Sequence, residues 1–164
     1  MIILGIDPGL AIVGYGVIDC TKGVFTTIAY GAITTPAHTK VEDRLSQIYD
    51  GMTALIEKYS PAEMAIEELF FTNNITTGIS VAEARGVALL AAKKKGVTIY
   101  EYTPLQVKQS VVGYGKAEKK QVMIMTASLL RLKEIPKPDD AADALAIAMC
   151  HAQSSASYLT RYYR

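Results

Sequence analysis

At 164 residues, 50% hydrophobic and 20% charged, the chain has the length of one compact domain and enough apolar content for a real core. A second folded domain, and disorder away from the ends, are not expected. Seventeen basic against sixteen acidic residues give a formal charge of +1, which excludes the global electrostatic footprint of a whole-surface nucleic-acid binder, so any polyanion partner must meet a local patch.

Ile2 to Ile6 is a continuous apolar run stopped by Asp7-Pro8-Gly9, as suits a central strand buried on both faces. Val13 to Ile18 and Val24 to Thr34 follow as further strands of an antiparallel meander, separated at Gly23. From Val41 to Tyr59, Leu45, Ile48, Tyr49, Met52, Leu55 and Ile56 recur at spacings of three and four, which predicts an amphipathic helix. Met64 to Ile66 is a short strand ending at Glu67. Thr76 to Lys95 is a helix apolar almost all round in its second half, so it needs cover on two sides. Val97 to Tyr102 returns to strand, Pro104 opens a short helix, and Gly113-Tyr114-Gly115 breaks it. A helix from about Ala117 to Leu132 and a last one from Asp139 to Ala152 complete the domain, 1–153. Residues 154–164 read as a flexible polar and basic tail. The pattern predicts an α/β fold with a mixed sheet of about five strands flanked by helices.

No apolar run approaches the roughly 20 residues that span a bilayer, and no cleavage site follows the first strand, which points to a cytoplasmic protein without membrane association. Cys20 and Cys150 form no C-x-x-C pair and are expected to be small buried hydrophobes. Cys150 and His151 are neighbours on one helix and point apart, so no catalytic Cys-His pair is expected. Lys93-Lys94-Lys95 complements a helix C-terminus.

Four carboxylates call for more. Asp7 and Glu67 end two short apolar strands, where an unpaired acid is costly and where ligands of α/β sheets gather. Asp140 and Asp143 share one face of a first helical turn, followed by a run of small residues that would let the helix lie close to the sheet. The plain alternatives are a turn-forming Asp before Pro-Gly and helix capping. If the four converge, like charges about 4 Å apart repel by roughly 4 kcal/mol at an effective dielectric near 20, and a divalent cation is the remedy. Oxygen donors without His or Cys favour Mg²⁺, with Mn²⁺ able to substitute. Two such ions about 4 Å apart can serve in-line phosphodiester displacement.

The motifs Ile3 to Gly9, Gly14 to Gly16, Ala65 to Glu67, Glu83 to Ala88, Gln106 to Gly113 and Asp140 to Ala148 together resemble, in family order, the RuvC family of bacterial Holliday junction resolvases. The resemblance implies an RNase H-like fold with Asp7, Glu67, Asp140 and Asp143 as catalytic, metal-binding acids. It further implies a homodimer that makes paired nicks of the same polarity at a four-way DNA junction, with RuvA and RuvB as branch-migration partners. Phe70 matches the family's stacking aromatic. Phe71 and Asn74 neighbour it as candidate DNA contacts, with Thr72-Asn73-Asn74 standing where close relatives commonly carry a lysine. Lys108 and Lys119 match family lysines beside the cleavage site, and Lys120 joins them as a phosphate contact. A junction-binding scaffold that does not cut, and an actin-like phosphotransferase, are the alternatives. Gly113 to Lys116 lacks the spacing of a phosphate-binding P-loop.

Overall fold

The computed structural model describes residues 1–69 and 75–162, with side chains for 1–69 and 78–155. Its strands are β1 (Ile2–Asp7), β2 (Ile12–Thr21), β3 (Val24–Thr34), β4 (Glu63–Glu67) and β5 (Thr98–Tyr102). The helices are α1 (Val41–Tyr59), α2 (Ile75–Lys94), α3 (Pro104–Val112), α4 (Lys119–Leu129) and α5 (Asp139–Tyr162). One sheet runs in the order β3-β2-β1-β4-β5. The first three strands form the predicted antiparallel meander, and β4 and β5 add in parallel, with Ile6 opposite Ile66 and Glu67 opposite Tyr102.

Strand alternation assigns the two faces. Leu4, Ile6, Val13, Val17, Met64 and Ile66 point into a core covered by α1 and α2 through Ile48, Met52, Ala84, Ala88, Ala91 and Ala92. Ile3, Ile18 and Ala65 point the other way, against α5. Fully burying a side chain such as Leu145, Ile147 or Met149 of α5 contributes about 1.5 to 3 kcal/mol.

The approach of α5 is set by glycines on that second face. A Cβ built on Gly5 would lie 2.1 Å from the Ala144 carbonyl oxygen, and one on Gly14 would lie 2.1 Å from that of Asp140. Only the absence of a side chain lets helix backbone rest on strand backbone there. The next element along, α3, is cut to length by local chemistry. Thr103 and Gln106 form a capping box around Pro104, and Gly113, at φ 89°, ends the helix.

Two expectations require correction, and one prediction of extent grows. The last helix does not stop at Ala152: it runs from Asp139 as far as Tyr162. No Gly or Pro interrupts it, and the Ser154 and Ser155 hydroxyls donate back to the carbonyls of Cys150 and Ala152. Cys150 is buried, but Cys20 is only partly so, because it lies near the outer end of β2 rather than under a helix. The second strand is longer at both ends than Val13 to Ile18. Among the described residues no helix is long and apolar enough to cross a membrane.

Candidate active site

Asp7 and Glu67 are the last residues of neighbouring parallel strands, so both carboxylates emerge at the same edge of the sheet. They lie on the face toward α5, two residues beyond Gly5 and Ala65 respectively. On α5, Asp143 is the one residue from Ala141 through Ala152 that is not buried. Asp7, Glu67 and Asp143 line one cavity of about 250 Å³, together with Lys108 of α3 and Lys119 of α4. Its floor is apolar, formed by Val107, Val122, Ala146 and Ile147.

The electrostatics of this pocket are out of balance. Burial, then the charges of Asp143, Glu67 and Asp140, push the Asp7 carboxyl from 3.8 to about 8. Glu67 is also raised, first by burial and then by Asp143. Asp143 is raised by burial against the pull of Lys119, whose ammonium sits 2.8 Å from it. That hydrogen bond in turn raises Lys119. Lys119 and Lys108 both pull Glu67 down, yet burial and the neighbouring carboxylates leave Asp7, Glu67 and Asp143 all raised, an imbalance that a bound cation would relieve.

The donor set fits a hard divalent cation, since every ligand atom it offers is a carboxylate oxygen. Among the described residues no three acidic, His or Cys side chains are drawn together as a ready-made ligand group.

The expected residues divide accordingly. Asp7, Glu67, Asp143, Lys108 and Lys119 come together at one cavity. Asp140 does not line it. Its backbone packs on Gly14, and its charge reaches Asp7 from one turn away. Lys120 is exposed on the first turn of α4, outside the cavity. Phe70, Phe71 and Asn74, with Thr72 and Asn73, lie outside the described residues. Sequence reasoning missed the apolar floor and the Lys119 to Asp143 pair. The available signal was that Val107 directly precedes Lys108 and that Val122 stands three residues, one helical turn, after Lys119.

A family model described as crossover junction endodeoxyribonuclease RuvC matches residues 3–151. Two curated relatives carry the same description. The protein of Clostridioides difficile is 57% identical over 155 residues, covering 94% of this chain and 92% of its own. That of Brevibacillus brevis is 58% identical over 153 residues, covering 93% and 92%. Among solved structures, T. thermophilus RuvC in complex with Holliday junction substrate superposes with a TM-score of 0.88 at 35% identity, covering 94% of each chain.

Proposed function

The chain belongs to the RuvC family of crossover junction endodeoxyribonucleases, and on that premise we propose that it resolves four-way DNA junctions by metal-dependent hydrolysis of phosphodiesters in two strands of the same polarity. The observation that carries the reading to particular residues is the convergence of Asp7, Glu67 and Asp143 at one cavity with two lysines. The matched relatives are named as endonucleases, and neither a non-cutting scaffold nor an actin-like phosphotransferase finds support.

Asp7, Glu67 and Asp143, with Asp140 behind them, would hold the metal, Mg²⁺ with Mn²⁺ as substitute, two ions to a site. When bound, such ions make water a nucleophile at neutral pH and neutralise charge on the leaving oxygen. The protein's own contribution is to bind and orient. Lys108 and Lys119 present positive charge in the cavity lining for the scissile phosphate, and Lys120 would add a contact farther along the backbone. The apolar side chains in the lining lower the dielectric around the acids, which strengthens each charge interaction there. Phe70, Phe71 and Asn74 follow Glu67 closely enough in sequence to meet bases beside the cleavage point.

Cutting two opposed strands needs two sites related by a dyad, and α2 offers the surface for a homodimer. Its small residues Ala84, Ala88 and Ala91 face the sheet, while Ile79 and Leu90, 52% and 53% exposed, share the opposite side with Gly86. RuvA and RuvB, by family likeness, would deliver the junction in the cytoplasm.

The test incubates the protein with a synthetic four-way junction and a linear duplex, with and without Mg²⁺, alongside Asp7→Asn. Symmetric cuts confined to the junction, dependent on the ion and lost in the variant while junction binding persists, are expected. Metal-independent cutting, or full activity in Asp7→Asn, would refute the assignment.

A further inference from the structure

The strand that delivers Asp7 to the site also leaves its neighbour one hydrogen bond short. Odd-numbered residues of β1 exchange backbone bonds with β2, in the same phase as the bond from the Cys20 N–H to the Met1 carbonyl. Even-numbered ones therefore face β4. With Ile6 opposite Ile66, the next β1 donor in line for the Glu67 carbonyl is residue 8. Residue 8 is proline and has no N–H.

Arg85, in the middle of α2, takes that place. Its Nε–H donates to the Glu67 carbonyl oxygen at 3.0 Å, and its terminal nitrogen pairs with the Glu101 carboxylate of β5. The Arg85 side chain is 14% exposed and that of Glu101 is 49% exposed. On the β5 side, the Glu68 N–H donates to the Tyr102 carbonyl at 2.8 Å. The peptide that carries Glu67 out of the sheet is thus gripped from both flanks, on one of them by a side chain from another element. A planar guanidinium with two acceptors at fixed positions is a rigid fixture, because its donors leave in a fork of set geometry.

We propose that Arg85 is a positioning residue for Glu67: it replaces the ladder donor that Pro8 removes and, anchored by Glu101, fixes the backbone from which the Glu67 carboxylate reaches the cavity. The inference rests on the assignment of Glu67 as a metal ligand. Its place in α2 also joins the helix offered for dimerisation to the backbone of Glu67 by a single hydrogen bond.

The experiment measures Mn²⁺ binding to the DNA-free protein by calorimetry and electron paramagnetic resonance, together with single-turnover junction cleavage and junction affinity without divalent ions. The variants are Arg85→Met, which keeps the aliphatic stem, and Glu101→Gln, which keeps the Arg85 bond to Glu67 but loosens its anchor. Arg85→Met is expected to weaken Mn²⁺ binding and slow cleavage by about tenfold each, with junction affinity unchanged. Glu101→Gln is expected to show a smaller loss of the same two quantities. Ile48→Val, in the core under α1, serves as a control for lost stability and should move neither. Wild-type Mn²⁺ binding in Arg85→Met overturns the proposal; should that variant not fold, wild-type binding in Glu101→Gln does so. Glu67→Gln separates the two layers. If it leaves Mn²⁺ binding intact, the ligand assignment falls and this inference with it. If it weakens binding while Arg85→Met does not, the positioning role alone is refuted.

Discussion

The two ends of β4 carry the same residue in opposite circumstances. Glu63 and Glu67 stand four residues apart on the same face of a five-residue strand, a separation of about 13 Å. At the first end, the Glu63 carboxylate lies 2.6 Å from His151 Nε2, and His151 Nδ1 lies 2.7 Å from the Tyr102 hydroxyl. Tyr100 stacks on the imidazole with ring centroids 4.4 Å apart. Every group is satisfied when the Tyr102 hydroxyl donates to Nδ1 and Nε2–H donates to Glu63. At the second end, among the described residues, no hydrogen-bond donor is paired with the Glu67 carboxylate, and its nearest strong influences are burial and Asp143. An acid surrounded by donors is part of the scaffold, whereas one placed among its own kind at a cavity is set for a cation.

The contrast is sharpest in activity. Glu67→Gln should reduce junction cleavage by on the order of 10²-fold or more, while Glu63→Gln, which still accepts from His151, should cleave within about twofold of wild type. Equal losses in single-turnover assays would erase the distinction between the two ends.

Stability inverts the ranking. In metal-free protein Asp7 has its folded pKa near 8, above the ordinary 3.8, so between these values the native state holds the extra proton. Its contribution is therefore full below about pH 4, declines as pH rises and is lost through about pH 8. Asp7→Asn removes that dependence, and in EDTA at pH 8 it should be more stable than wild type, by roughly 4 kcal/mol at most. Urea melts at pH 5 and pH 8 measure this, and a variant less stable than wild type at pH 8 would show that the pocket does not strain Asp7. His151→Ala should do the reverse. It leaves Glu63 and Tyr102 without their partner and should cost about 3 kcal/mol, a fall in Tm of about 10 °C, with cleavage below the melting range little changed.

Much of this was legible beforehand. Asp7 and Glu67 stood out because each closes an apolar run with a charge, and their meeting required only that the strands be parallel neighbours. Asp143 and Asp140 looked equivalent, and only the placement of α5 on Gly14 separates the one that lines the cavity from the one behind it. Lys119 stood out as a candidate phosphate contact but not as the partner of Asp143, because that pairing depends on how α4 packs on α5. Arg85 was invisible as a ligand of the site for a different reason. Its acceptor is a main-chain carbonyl, and no residue letter records where a carbonyl points. Pattern alone gave no hint that His151 would bridge Glu63 and Tyr102 across 88 and 49 residues.

The bare contact between α5 and the sheet has one more implication. Because glycine hydrogens alone set the gap at positions 5 and 14, a single methyl inserted there would work as a shim, lifting the helix at Asp140 or farther along at Ala144 and Ala148 and widening the jaw between helix-borne and strand-borne acids. The tolerance of the nuclease is thus held in part by residues that have no functional group, and its aperture could be retuned without altering any atom that touches substrate.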